Sequence, residues 1–91
     1  MQKKILLIED NPDVRENVSE ILALSNFEVI AAPNGRDGLD LAQKELPDLI
    51  VCDISMPLLD GFGVLNHLGL QNETSRIPFI FLTARTDRDS F

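Results

Sequence analysis

Ile5-Leu6-Leu7-Ile8-Glu9-Asp10-Asn11-Pro12 sets the reading of the whole chain. Four apolar residues in a row, without polar alternation, fit a strand covered on both faces, as at the centre of a parallel sheet. Two acids end the run, and Asn11-Pro12 supplies an N-cap followed by proline at the first helical position. Val14, Val18, Ile21, Leu22 and Ser25 then fall at i, i+4, i+7, i+8 and i+11, one face of a helix. The same grammar repeats downstream. Leu49-Ile50-Val51-Cys52 and Phe79-Ile80-Phe81-Leu82 are further unbroken apolar runs, whereas Phe27-Glu28-Val29-Ile30-Ala31 carries a charge and reads as an edge strand. Asn34-Gly35 opens a second helix whose Leu39, Ala42 and Leu46 face a core, with Pro47 closing it. Asp60-Gly61 begins a third, in which Gly61, Val64, Leu65 and Leu68 share a face before Gly69 weakens it. The order βαβαβαβ, with right-handed crossovers, predicts an α/β fold: a parallel sheet with helices on both faces.

Composition bounds the function. The chain has 91 residues, enough for one small domain, and its 44% apolar and 25% charged residues describe a globular chain, not a disordered tail or a fibre. Eight Lys and Arg against fifteen Asp and Glu leave a net charge of −7, which disfavours direct binding to nucleic acid or to an anionic membrane. A single cysteine makes no internal disulfide and points to a reducing compartment. Glu9 stops the first apolar run too early for a signal peptide, and no segment approaches the ~20 apolar residues of a spanning helix, so a cytoplasmic location is expected. Near the end, Thr86-Asp87-Arg88-Asp89 has the spacing of a helix N-terminus, yet only Ser90 and Phe91 follow. The chain is therefore expected to be a fragment, or to have a missing side supplied by a partner. Phe79 to Leu82 would then form a bare apolar edge open to self-association.

The chemistry lies at strand ends. In an open parallel sheet, ligands sit outside the carboxyl ends of the strands where strand order reverses. Glu9 and Asp10 follow the first strand and Asp53 follows the third. If these strands are neighbours, three like charges converge and need a cation; oxygen-only ligands favour a hard ion, and Mg²⁺ fits. Thr83, ending the fourth run, would aim a hydroxyl at the same mouth. Such a set describes phosphoryl transfer in which an aspartate attacks phosphorus, with Asp53 as acceptor because it stands alone opposite the Glu9-Asp10 pair.

Glu9-Asp10-Asn11, Asp53-Ile54-Ser55-Met56-Pro57-Leu58-Leu59-Asp60-Gly61 and Phe79-Ile80-Phe81-Leu82-Thr83-Ala84 resemble, in order, the signature blocks of the receiver domain of bacterial two-component response regulators. The resemblance implies a flavodoxin-like (CheY-like) fold with strand order 2-1-3-4-5, and a phosphoacceptor signalling domain served by a histidine kinase or phosphotransfer protein. It implies a regulatory domain, not an enzyme in its own right, commonly attached to transcription regulators. Residue by residue, Asp53 matches the phosphorylated aspartate and, with Asp10, a metal ligand. Glu9 matches the outer acid acting through water, and Ser55 the position whose backbone carbonyl completes the Mg²⁺ shell. Thr83 matches the hydroxyl that bonds the phosphoryl oxygen, and the Ala84 N–H a second donor. Residues 1–91 then correspond to a partial receiver domain, β1 to β4 and the start of a fourth helix, without the C-terminal βα part.

One family feature is missing. The phosphate-binding lysine belongs to a fifth strand, beyond Phe91, and Lys3 and Lys4 cannot replace it because a five-residue strand places them roughly 16 Å away. Arg85 offers at most partial charge compensation, so little stable phosphate on Asp53 is expected from a small phosphodonor and Mg²⁺. Cys52 reads as an inert buried strand residue, His67 as a solvated side chain, and Met56-Pro57 as loop-shaping and packing residues. A haloacid-dehalogenase reading fails because Ser55 stands where Asp-x-Asp needs its second acid. A nucleotide-binding reading fails because Glu9-Asp10-Asn11-Pro12 has no glycine. The alternative left standing is a non-catalytic receiver-like interaction module, natural or engineered, acting through its surface.

Overall fold

The computed structural model describes residues 2–82, in which four strands alternate with three helices. β1 is Lys4–Ile8, α1 Pro12–Leu24, β2 Glu28–Ala32, α2 Gly35–Glu45, β3 Leu49–Asp53, α3 Gly61–Gly69 and β4 Phe79–Leu82. All neighbouring strands run parallel, in the order β2-β1-β3-β4, as the flavodoxin-like expectation requires. The order reverses between β2 and β3, because the chain steps from β1 to one side and then crosses to the other. With right-handed crossovers, that reversal puts α1 on one face and α2 and α3 on the opposite face. The reversal point lies above β1 and β3, where the acids were expected to meet.

Local signals account for the helix starts. The Asn11 side chain accepts from the Asp13 and Val14 amides, and Pro12 occupies the first turn. Asn34 accepts from the Asp37 amide and Asp60 from that of Gly63, each satisfying a donor that helix geometry leaves open. The Thr74 hydroxyl, fully buried, donates to the Leu68 carbonyl at 2.7 Å and tidies the other end of α3.

The core lies between the sheet and the α2–α3 layer: Leu6, Ile8, Ile50 and Cys52 from the strands, Ala42 from α2, Val64 and Leu68 from α3, and Met56 from the loop after β3. The alternate strand residues Ile5 and Leu7 are equally buried beneath the α1 side. Gly38 lets α2 sit directly on β1, since a Cβ there would lie 2.4 Å from the Cδ1 of Ile8.

Several side chains depart from the periodic reading. Val14, Val18 and Leu22 of α1 are half-buried, but Ile21 and Ser25 are exposed, because α1 contributes no fully buried residue and only its strand-facing edge is covered. Leu46 leaves the α2 core face: as the C-cap it adopts a left-handed backbone, φ 47°, which turns it to solvent. Leu65 sits at the rim of the α3 face and is exposed, whereas Gly61, Val64 and Leu68 are buried as expected. Among the described residues β4 pairs with β3 alone and its Ile80 is 53% exposed, which matches the bare apolar edge expected above and not the double cover its unbroken run suggests. The helix start expected at Thr86 to Asp89 lies outside the described residues.

Candidate functional site

β1 and β3 lie side by side, with Ile8 opposite Cys52, so the next residues along, Glu9 and Asp53, emerge together at the C-terminal rim of the sheet. Asp10 follows one position later. Glu9, Asp10 and Asp53 each offer a carboxylate oxygen, and these oxygens lie within 4.8 Å of one another. Glu9 and Asp53 are only 1% and 3% exposed, and Asp10 is half-buried. At such distances each pair of like charges repels by on the order of 3 kcal/mol at an effective dielectric near 20, so an all-oxygen cluster of this kind suits a hard divalent cation.

The neighbouring Cys52 thiol registers the local field. Its pKa is pushed up to about 12, first by burial and then by the Asp53, Glu9 and Asp60 carboxylates. Its Sγ donates to the Asp53 carbonyl at 3.3 Å, so it is the inert buried thiol the sequence implied.

The acid pair is held by a tight local network. The Asn11 amide donates to Glu9 Oε2 at 2.9 Å, so one oxygen of Glu9 is already engaged by backbone. This suits Glu9 to an outer position better than to direct ligation. The Asn11 carbonyl accepts from the Arg15 amide, and the Arg15 guanidinium donates from Nη1 to the Glu9 carbonyl at 2.9 Å. On the other side of the mouth the loop after β3 carries exposed Ser55, buried Met56 and Leu58, whose φ of 71° and complete exposure are unusual for leucine. The Gly61 amide closes this loop on the Ile54 carbonyl at 2.9 Å, and a Cβ on Gly61 would stand 2.6 Å from the Asp53 carbonyl oxygen. Asp60-Gly61 is thus a close-approach requirement as well as a helix start.

The structure therefore brings together Glu9, Asp10 and Asp53, with Ser55 two residues further along the same loop. Thr83 and Ala84, and with them Arg85, lie outside the described residues. Lys4 sits at the opposite end of β1, where it pairs with Glu45 at 2.9 Å. His67 is exposed, as expected, and helps line a cavity of about 570 Å³ beside the acids, walled also by Asp10, Asn34, Arg36, Leu39 and Pro57. Arg15 and Leu58 were not singled out from sequence. The available signal for Arg15 was its place one helical turn after the Asn11 cap, directly behind the acid pair.

Comparison with known proteins agrees with this geometry. The response regulator receiver domain family matches residues 5–91. The probable transcriptional regulator ycf27 of Galdieria sulphuraria is 40% identical over 86 residues, covering 94% of this chain and 32% of that protein. Protein PilH of Pseudomonas aeruginosa is 38% identical over 82 residues, covering 90% and 68%. The chain thus spans about a third of the length of the ycf27 relatives it matches. Among solved structures, the receiver domain of sensor histidine kinase PA1611 from Pseudomonas aeruginosa, with a magnesium ion in its active-site cleft, superposes with a TM-score of 0.88 at 29% identity, covering 98% of this chain and 75% of that one. No described helix is long and apolar enough to cross a membrane. With parallel strands in the order 2-1-3-4 and three acids gathered where that order reverses, the chain belongs to the response regulator receiver domain family.

Proposed function

We propose that the chain is a phosphoacceptor signalling domain in which Asp53 takes a phosphoryl group from the phosphohistidine of a kinase or phosphotransfer protein. The observation that carries this reading is the convergence of Glu9, Asp10 and Asp53 within 4.8 Å at the sheet's reversal point. In the reaction an Asp53 carboxylate oxygen attacks phosphorus, the donor's N–P bond breaks with its electron pair returning to the imidazole, and an acyl phosphate forms. Asp10, Asp53 and the Ser55 backbone carbonyl would hold Mg²⁺, with Glu9 acting through water; the donor set is all oxygen, with Asp53 and Glu9 buried and Asp10 half-buried, which fits that ion. Bound there, Mg²⁺ would neutralise charge on the carboxylates and on the incoming phosphoryl oxygens. Thr83 and the Ala84 N–H are assigned to the phosphoryl oxygens on the family resemblance. The domain is regulatory, not a free-standing enzyme; residues 1–91 are taken as β1 to β4 of a receiver domain with the start of a fourth helix, acting in the cytoplasm. Self-association through the β4 edge is a further expectation, supported by β4 having β3 as its one strand neighbour among the described residues and tested by size-exclusion chromatography over a concentration series.

The test combines Mg²⁺ titration with phosphoryl labelling trapped by rapid quenching and read by mass spectrometry. The label should map to Asp53 and vanish in Asp53→Asn. Absence of Mg²⁺ binding, or equal labelling of Asp53→Asn, overturns the reading. An interaction module without phosphoryl chemistry would give no label on Asp53 at all.

A further inference from the structure

We infer that Arg15 is a positioning residue for the divalent-cation site, acting through the peptide bond that joins Glu9 to Asp10. This rests on the phosphoacceptor reading above and adds to it a residue outside the acid cluster. The peptide unit between the two acids has its carbonyl on Glu9, and that oxygen accepts from Arg15 Nη1 at 2.9 Å. A peptide is planar, so holding this oxygen fixes the plane from which the Asp10 backbone departs, and with it the direction of the Asp10 side chain.

Backbone bonds complete a ring around this contact. The Arg15 amide donates to the Asn11 carbonyl at 2.9 Å, while the Asn11 amide donates to Glu9 Oε2 at 2.9 Å. Asn11 also anchors the first turn of α1 through its side chain, which accepts from the Asp13 and Val14 amides. Asp10 is thus bracketed by Glu9, whose carbonyl the Arg15 side chain holds, and Asn11, whose carbonyl the Arg15 backbone amide holds as the first bond of the helix. Arg15 is half-buried and its guanidinium is planar, so the bond is directed by packing as well as by charge.

The sign of the effect separates positioning from electrostatics. Beside three carboxylates, an arginine that acted only as a charge would compete with a divalent cation, and removing it would tighten Mg²⁺ binding. An arginine that holds the ligands in place does the opposite, because groups that orient metal ligands typically cost 10–100-fold in metal affinity when lost.

The experiment is Mg²⁺ titration by calorimetry on the wild-type chain, Arg15→Met and Arg15→Lys, with amide hydrogen exchange at Asp10 and Asn11 in the metal-free proteins. Arg15→Met should weaken Mg²⁺ binding about 10-fold or more and speed exchange at Asp10 and Asn11, while amides of β1 and β3 keep their protection. Arg15→Lys, which keeps a donor, should recover most of the affinity. Unchanged or tighter binding by Arg15→Met, or unchanged Asp10 exchange, overturns the inference even if the wild type binds Mg²⁺. Should Arg15→Met lose its fold, Arg15→Lys and Arg15→Gln carry the comparison: Gln must bind more weakly than Lys, and equal binding sinks the inference. A wild-type chain that binds no Mg²⁺ overturns the phosphoacceptor reading itself, an outcome distinct from any difference among the Arg15 variants.

Discussion

Replacing Gly61 by alanine should destabilise the protein, while the same substitution at Gly69, eight residues along the same helix, should stabilise it. An alanine Cβ at position 61 would stand 2.6 Å from the Asp53 carbonyl oxygen, 3.0 Å from the Ile54 Cα and 3.0 Å from a Phe81 ring carbon. Ordinary carbon–oxygen contacts begin near ~3.3 Å, so backbone must yield by about 0.7 Å. Two of the three obstacles are backbone atoms of the β3 end, and overpacking of this kind costs about 1–3 kcal/mol. Alanine's higher helix propensity returns at most ~1 kcal/mol, and less at the first helical position. The net loss is about 1–2 kcal/mol, a fall in Tm of roughly 4–16 °C for a chain this short. At Gly69 a Cβ meets nothing within 4 Å, so only the propensity gain of ~0.5–1 kcal/mol remains. The chain has no Trp or Tyr, so urea denaturation followed by far-UV circular dichroism is the suitable assay. A neutral or stabilising Gly61→Ala would refute the close-approach argument. Equal effects at both glycines would refute it too.

Leu58→Gly should stabilise the fold by about 1 kcal/mol, because the left-handed backbone at φ 71° strains a leucine whose fully exposed side chain loses no packing on removal; a drop in the urea midpoint contradicts this. In the native protein at mildly alkaline pH Cys52 should resist a thiol reagent, since its pKa is pushed up to about 12 and it is buried, and labelling should keep pace with global unfolding; immediate full labelling rules this out. The Lys4–Glu45 pair sets a small pH dependence. Mainly through their mutual hydrogen bond, Glu45 is lowered from 4.5 and Lys4 raised from 10.5. The contribution of Glu45 is therefore present above 4.5 and lost as pH falls through its lowered value, while that of Lys4 is present below 10.5 and lost as pH rises through its raised value. Glu45→Gln should lose a small, salt-screened increment at neutral pH and none in strong acid, and equal losses at both would contradict the pairing.

Much of this molecule was legible before folding because strand and helix identity rest on local chemistry. The unbroken runs at Ile5, Leu49 and Phe79 became β1, β3 and β4, and Asn11, Asn34 and Asp60 each cap a helix. Periodicity was less reliable at helix ends and rims. It grouped Leu46 with the α2 core, but a C-cap in the left-handed region leaves the helical spiral. It also grouped Ile21 with the inward face of α1, yet how much of a helix is covered depends on what packs over it, which one strip of sequence does not specify.

By itself, the sequence determined the alternation of strands and helices, their caps, and the presence of Glu9, Asp10 and Asp53 at strand ends, because each follows from neighbours a few residues away. The family resemblance implied that β1 and β3 are adjacent, but only the tertiary structure decided that acids more than forty residues apart in the chain come within 4.8 Å. It also decided that Gly61 has no room for a side chain and that Arg15 reaches back to the Glu9 carbonyl. Those are contacts between elements, set by sheet order and helix docking, and no local pattern encodes the distance between two segments until the chain has closed on itself.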